Sequence, residues 1–373
     1  MQKKTIVSLV SAQTIPNYLF IKEFFNDGDD LIFITSKKML GRIKHIVNAL
    51  GNNFPWTPIE IEEENWFSMT NCIEQKLSKN VRYIVNTTGG TKFMSLAVQS
   101  VFQKFDAKFY YIPNPENKLL APFTNEIIPI KYRVNIQEYL TLHNIPYKEK
   151  DITKEKDYTE KFFGLFTGNQ LKQRDFEIIE LLRVYYRDKK SISISEVENC
   201  QINPKFPKRV PINDLNSFLT SIGFPLDNTN TLVKKELEYL TGGWFEEYIY
   251  HQIVEYIKPQ DIAIGVEIIK AETTNQNDLD VVFTNGNKLF VIECKTGINK
   301  EALFNQTVYK ASALKETMFG LPGNTFIFSL SKENEVFIQI AKNMKIEYYG
   351  NEYFSDKLKF MELINHILQI SKN

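Results

Sequence analysis

The sequence predicts an α/β protein made of more than one unit. Its N-terminal part alternates short apolar strands with amphipathic helices, the pattern of βαβ crossovers and a mostly parallel sheet. Its C-terminal part reads helix, three strands, helix, strand, around a hairpin whose strand ends carry acids and a lysine. The chain has 373 residues, more than one hydrophobic core usually organises. The expected architecture is a doubly wound Rossmann-like domain over residues 1–150, a small middle domain over 151–238, and a second α/β domain over 239–373.

Composition excludes several classes. The chain is 43% hydrophobic and 24% charged, ordinary for a globular protein. Lysines and arginines balance aspartates and glutamates to a formal net charge of zero, so nucleic acid would have to be met by a local basic patch. Cys72, Cys200 and Cys294 lie far apart and form no CxxC pair, against a zinc knuckle or a disulfide framework. Met1-Gln2-Lys3-Lys4 leads into a short strand rather than a signal peptide, and no run approaches transmembrane length, so a cytoplasmic location without membrane contact is expected.

The first domain is expected to place strands at Thr5–Val10, Leu31–Thr35, Ile59–Glu62, Arg82–Asn86 and Lys108–Ile112. Helices fall between them at Pro16–Phe25, Met39–Leu50, Trp66–Leu77 and Phe93–Phe105, and further strands over Leu119–Val134. In the middle domain Phe176–Tyr186 reads as a helix, and Ser191–Glu196 as a short strand or a helix start. The proline-punctuated basic run Asn203–Pro211 is a solvated connector or a phosphate contact. A winged-helix-like arrangement is expected there. The last domain opens with a helix at Leu240–Ile257, then strands at Asp261–Ile269, Asp280–Phe283 and Leu289–Lys295. A helix at Glu301–Phe319, strands at Thr325–Leu330 and Val336–Ile340, and a helix at Asp356–Ile370 complete it.

The chemistry concentrates in the hairpin. Asn285-Gly286 is a turn signal between two apolar strands. Glu293 and Lys295 are two apart, so on a strand they share a face, roughly 7 Å apart at their Cα atoms. Charges ending an apolar strand need a partner or a metal. The triplet alone is not distinctive, since Glu74-Gln75-Lys76 repeats it on a helix that reads as solvated. Asp280 on the preceding strand adds a second carboxylate. Two carboxylates suit a hard cation such as Mg²⁺ or Mn²⁺, which can activate a bound water. Lys295 can orient or deprotonate the attacking water.

This combination, in its α-β-β-β-α-β order, resembles the PD-(D/E)xK nuclease superfamily in its D…ExK form, over roughly residues 239–345. The resemblance implies Asp280, Glu293 and the Cys294 backbone carbonyl as metal ligands, Lys295 as the water-orienting base, and Glu246 as an added acid from the first helix. Glu247 is the rival for that last role. Asp278 is a minor contributor. Gln306, Tyr309 and Lys310 on the following helix either serve the site or belong to an amphipathic packing face.

Two N-terminal loops form a second constellation. Ser11-Ala12-Gln13-Thr14-Ile15-Pro16-Asn17 follows the first strand, and Thr87-Thr88-Gly89-Gly90-Thr91-Lys92 follows Arg82–Asn86. Both project from the carboxyl edge of a parallel sheet, where such folds bind ligands. Glycines admit a phosphate to the backbone, and a helix N-terminus attracts anions. The order is not that of a Walker loop. Together these loops resemble the CARF domain, the CRISPR-associated Rossmann-like sensor of cyclic oligoadenylates, over roughly residues 1–140. That resemblance implies ligand contacts at Ser11, Gln13, Pro16, Asn17, Thr87, Gly89, Gly90, Thr91, Lys92 and Met94. Thr35, Ser36 and Lys37 are less specific additions. It also implies a homodimer whose twofold axis matches a ring of adenylates.

A CARF domain followed by a D…ExK domain is similar to the CRISPR ancillary nucleases activated by cyclic tetra-adenylate. The implied function is metal-dependent cleavage of DNA or RNA, switched on by the ring. Two rivals follow from the same residues: a regulator that grips nucleic acid without cutting it, and a restriction-type nuclease that needs no activator.

Overall fold

The structure, a computed structural model, describes residues 4–51, 54–113, 117–168, 170–199, 211–226, 229–269, 277–297, 301–314 and 324–372. The N-terminal sheet contains β1 (Lys4–Leu9), β2 (Asp30–Ser36), β3 (Trp56–Ile61), β4 (Arg82–Asn86) and β5 (Lys108–Tyr110). Its order is β3-β2-β1-β4-β5 and every pairing is parallel. The inner strands β1, β2 and β4 are almost wholly buried because helices cover both faces, whereas the edge strand β3 is mostly exposed. These are α1 (Ile15–Phe24), α2 (Leu40–Leu50), α3 (Trp66–Glu74) and α4 (Lys92–Phe102). The order reverses between β1 and β4, so the two ligand-candidate loops leave the same sheet edge at the switch point. A hairpin of β6 (Lys118–Ala121) and β7 (Glu126–Pro129) follows, then α5 (Ile136–Leu142) and β8 (Tyr147–Lys150).

Here the structure departs from a clean boundary at residue 150. Strand β8 pairs antiparallel with β11 and forms the edge of the C-terminal sheet. Apolar side chains of α5 and of the N-terminal sheet share one buried cluster with Val266, Leu279, Val282, Leu289 and Val291 of the C-terminal sheet. The two units therefore meet through a continuous apolar core rather than a polar linker.

The middle region holds α6 (Lys156–Thr167), α7 (Gln173–Leu181), β9 (Ser191–Ser193), α8 (Ile194–Glu198), α9 (Leu215–Ser221), β10 (Thr231–Val233) and α10 (Lys234–Glu238). Among the described residues, the antiparallel β9–β10 pair brackets the two short helices α8 and α9 in sequence. Residues 203–210 of the basic run lie outside the described residues. Phe162, Ile178, Leu182 and Leu219 pack in one cluster with Phe290, Ile292 and Phe326 of the C-terminal sheet, so this region is not a free module.

The C-terminal unit comprises α11 (Trp244–Tyr256), β11 (Asp261–Ile268), β12 (Asn277–Asn285), β13 (Lys288–Lys295), α12 (Glu301–Leu314), β14 (Asn324–Ser329), α13 (Glu335–Asn343), β15 (Glu347–Tyr349), α14 (Asn351–Ser355) and α15 (Lys357–Lys372). Its sheet runs β15-β14-β13-β12-β11-β8. One expectation is corrected: Val336–Ile340 is not a strand but the body of α13. Asn334 caps that helix by accepting from the Val336 backbone N–H, and Phe337 and Ala341, four apart, are its buried face. The parallel strand beside β14 is β15 instead.

The hairpin turn is also displaced by one residue. Gly286 and Asn287 have φ of 60° and 62°, so they are the two central residues, between the paired Asn285 and Lys288. A turn centred on Asn285-Gly286 would face Asp280 with Val291. The observed turn pairs Val281 with Ile292, and one step further it sets Asp280 opposite Glu293.

Candidate functional site

Asp280 and Glu293 lie on the sheet face that α12 covers, side by side across β12 and β13. Both are buried, at 8% and 1% exposure. The backbone N–H of Cys294 donates to Asp280 Oδ2 over 2.7 Å, fixing that carboxylate. Lys295 Nζ donates to the same oxygen at 3.0 Å and to Glu293 Oε2 at 3.3 Å. The ammonium thus bridges the two acids. Glu293 Oε1 is buried without a hydrogen-bond donor, its closest cation being Lys310 Nζ at 3.6 Å. The Cys294 thiol points to the opposite face, into the apolar cluster, and burial pushes its pKa well up.

The electrostatics follow from this crowding. Burial first, then the Asp280 charge, push the Glu293 carboxyl above its usual range, with Lys295 and Lys310 opposing. Burial works against the Lys295 ammonium, but Asp280 and Glu293 outweigh it and hold it well above the ordinary lysine value. Glu246, in the first turn of α11, completes the group. Burial and Asp280 push its carboxyl up to about 8, against Lys295 and Lys150. Its neighbour Glu247 is used elsewhere: its carboxylate accepts the backbone N–H groups of Thr153 and Lys154 at 2.6 and 2.9 Å. Geometry therefore separates Glu246 from its rival.

Three cations near the acids come from elsewhere in the chain. Lys310 of α12 donates to the Asp278 carbonyl at 2.6 Å, whereas Gln306 and Tyr309 are exposed. Lys150 of β8 reaches Asp278 Oδ2 at 3.3 Å. Arg183 lies in a π-helical turn, Leu182–Tyr186, and directs Nε and Nη2 at the Thr241 carbonyl at 3.1 and 2.9 Å. Thr241 sits in the second π-helical turn, Tyr239–Gly243, just before α11, and Arg183 Nη2 also lies 3.5 Å from Thr296 Oγ1, just after Lys295. A cleft of about 620 Å³ opens between the middle region and the sheet edge, lined by Lys150, Arg187, Lys235, Glu246, Gly265 and Asp278. Of these cations only Lys310 carried a signal in the sequence, a lysine four residues after Gln306 on a helix following the ExK strand.

Among the described residues no three His, Cys, Asp or Glu side chains converge as a metal cage. Two facing carboxylates, one with a buried oxygen that accepts no hydrogen bond, fit a hard cation that would take its remaining ligands from carbonyl and solvent oxygens.

The N-terminal loops touch each other. A Cβ on Gly89 would lie 2.0 Å from the Leu9 carbonyl oxygen, so the β4–α4 loop rests directly on the end of β1. Gly90 has φ +73°, and Thr91 caps α4 by accepting from the Met94 N–H at 3.2 Å. Ser95 Oγ lies within hydrogen-bond reach of the Thr87, Gly89 and Thr91 carbonyls, at 3.4, 3.2 and 3.1 Å, so its one proton braces the turn from below. Gln13, Gly90, Thr91 and Lys92 are exposed at this edge, with Ser11 and Thr87 half-buried. Pro16, Asn17, Thr35 and Met94 are buried. Asn17 Nδ2 donates to Ser8 Oγ and the Leu9 carbonyl, both at 2.8 Å, so it shapes the loop from within. Ser36 and Lys37 line a separate cleft of about 690 Å³ whose other wall includes Glu60, Glu62, Glu63 and Glu64.

The Card1 CARF domain family matches residues 5–139, and the Card1-like endonuclease domain family matches residues 233–366. No curated protein matches the sequence. Protein VC1899 from Vibrio cholerae superposes with a TM-score of 0.75 at 18% identity, covering 99% of this chain and 98% of that one. Can2 from Sulfobacillus thermosulfidooxidans, solved in complex with cyclic tetra-adenylate, gives 0.72 at 18% identity over 97% and 99%. A type III CRISPR defence DNA nuclease activated by cyclic oligoadenylate gives 0.56 at 14% identity, over 90% of this chain and 46% of that one. At these identities the likeness is one of fold. Among the described residues no helix is long and apolar enough to cross a membrane. With its two ends matched by these two families, the chain belongs to the CARF-domain nucleases, a CARF domain joined to a Card1-like endonuclease domain.

Proposed function

We propose that this protein is a metal-dependent nuclease of type III CRISPR antiviral defence, working as a homodimer switched on by cyclic tetra-adenylate. The observation that carries the reading is Asp280 facing Glu293 across the hairpin with the Lys295 ammonium between them. Asp280 and Glu293 would hold a Mn²⁺ or Mg²⁺ ion, with the Cys294 carbonyl as a further oxygen ligand. Bound there, such an ion would make water more acidic and stabilise charge at the scissile phosphate. Lys295, an ammonium held between both carboxylates, orients the attacking water and stabilises the negative charge that develops on the phosphate. The Glu246 carboxyl, pushed up to about 8 by burial and by Asp280, would ionise beside such an ion.

At the sensor edge, Ser11, Gln13, Thr87, Gly90, Thr91 and Lys92 contact the ring, and Pro16, Asn17, Gly89 and Met94 hold the loops that present them. The acidic wall facing Ser36 and Lys37 suits a polyanion poorly, which makes Thr35, Ser36 and Lys37 the minor part of this contact set. The dimer is supported by an apolar patch beside the β4–α4 loop: Phe67, Phe93 and Leu96 on α3 and α4 are 76%, 41% and 56% exposed.

The test incubates the full chain with single- and double-stranded DNA and RNA, Mn²⁺ or Mg²⁺, and cyclic tri-, tetra- or hexa-adenylate. Cleavage that needs metal and one ring is expected. Cutting without any ring makes it a restriction-type nuclease. Ring and nucleic-acid binding without cutting makes it a regulator.

A further inference from the structure

The edge strand β8 brings a residue of the sensor side to the nuclease centre. Continuing the β11–β12 register, Gly265 lies opposite Asp280, and Lys150 pairs with Ile264 on the other side of β11. The β8–β11 ladder then loses its register by one residue between Ile264 and Glu267, and Gly265 sits in that bulge with φ +58°. A Cβ there would come 2.7 Å from Lys150 Cδ and 3.1 Å from its Cβ and Cγ. The missing side chain therefore opens a trough across β11. The lysine stem lies in it and delivers its ammonium to Asp278 on β12, at 3.3 Å, on the wall of the cleft that Glu246 also lines. A glycine in a left-handed bulge, filled by one lysine stem, is a built path rather than a chance surface pair.

The same strand is tied to the ligand loop. Thr14, the residue after Gln13, donates its buried hydroxyl to the Leu142 carbonyl at 2.9 Å, and Leu142 ends α5 just before β8. The N–H of Ile136, which begins α5, donates to Asp261 at the start of β11. From the first sensor loop to Lys150 the contacts are a buried hydrogen bond, one helix end and a short strand.

We propose that Lys150 is a positioning residue of the nuclease centre, carried by the strand that leaves the sensor. Its positive charge offsets the acids at Asp278 and Glu246 and fixes the start of β12, so movement of β8 changes how Asp280 is presented. This rests on the nuclease reading above.

The test uses the full chain, cyclic tetra-adenylate at saturation, Mn²⁺, and fluorophore–quencher DNA and RNA oligonucleotides. Lys150→Ala should lower the ring-activated kcat by about tenfold, with KM and ring affinity near wild type. Mn²⁺ binding, measured by calorimetry without substrate, should tighten, because a competing positive charge is gone. Lys150→Arg should recover most of the rate. Gly265→Ala, which fills the trough, should copy Lys150→Ala in rate and in Mn²⁺ affinity. A wild-type kcat in Lys150→Ala overturns the proposal. So does a slow variant whose Mn²⁺ binding and melting temperature both fall, since that marks a brace of the sheet edge only. If the unmodified chain and Glu293→Ala are equally inactive with ring and metal, the nuclease reading itself falls first.

Discussion

Lys295→Met removes the ammonium that joins Asp280 to Glu293 and keeps the stem. Its two contacts, 3.0 and 3.3 Å, each amount to about 5 kcal/mol of Coulomb attraction at the effective dielectric that suits protein sites. Desolvation of the three charges offsets much of this, and removing one partner of a buried pair costs about 3–5 kcal/mol. The Lys295 side chain is 32% exposed, so the low end, about 3 kcal/mol, applies. The loss depends on pH. Without the ammonium, the raised Glu293 carboxyl rises further, and the folded variant keeps a proton that the unfolded chain releases above about pH 4.3. Stability of the variant therefore falls as pH rises through that value. Wild type carries a raised Glu293 as well, so both lose stability above about pH 4.3; the variant loses more, and its deficit against wild type should grow from pH 5 to pH 8. Urea unfolding followed by tryptophan fluorescence, with Trp244 buried in the cluster behind the sheet, reads it directly. Cleavage should drop by about 10²–10⁴-fold over the same range, with ring affinity unchanged. A deficit of equal size at every pH, or none, refutes the argument that charge balance holds this site together.

Other expectations test neighbouring parts. Burial and Asp280 push the Glu246 carboxyl up to about 8, so it costs the fold stability as pH climbs from about 4.3 to 8. Glu246→Gln should melt with wild type at pH 5 and above it at pH 8.5 in metal-free buffer, by scanning calorimetry. Gly89→Ala pushes a methyl to 2.0 Å from the Leu9 carbonyl, which should cost about 1–3 kcal/mol by thermal melt and weaken cyclic tetra-adenylate binding measured by calorimetry. Arg183→Ala strips the Thr241 carbonyl of both guanidinium donors; a loss of about 1–3 kcal/mol is expected, and lysine should not restore it because one ammonium cannot reproduce the fork.

Much of the site was legible because its residues sit close in sequence on one hairpin. Asp280, Glu293 and Lys295 needed only strand period and an apolar context to be placed on one face. The register was less legible: Asn285-Gly286 is the stronger turn signal by composition, yet the chain turns at Gly286–Asn287, and that single step is what sets Asp280 against Glu293. Val336–Ile340 misled because a short apolar run satisfies either period, and the Asn334 cap was the available cue to a helix. Lys150 and Arg183 carry no local signal at all. Their contacts span 128 and 58 residues, and only tertiary packing brings them in. In the sensor, loop positions were legible from strand ends, but which side chains turn inward was not: Asn17 and Met94 are implied as ligand contacts by resemblance, and both are buried.

The central claim is that the hairpin centre cuts nucleic acid only when the N-terminal loops hold their ring. The most direct measurement is cleavage of labelled DNA and RNA by the full chain in Mn²⁺, titrated with cyclic tetra-adenylate, for the unmodified protein and for Glu293→Ala. The account predicts no cutting without the ring and saturable cutting with it. Glu293→Ala should stay silent at every concentration while binding the ring as tightly as the unmodified chain. Equal cutting with and without the ring, or cutting by Glu293→Ala at the unmodified rate, would contradict it.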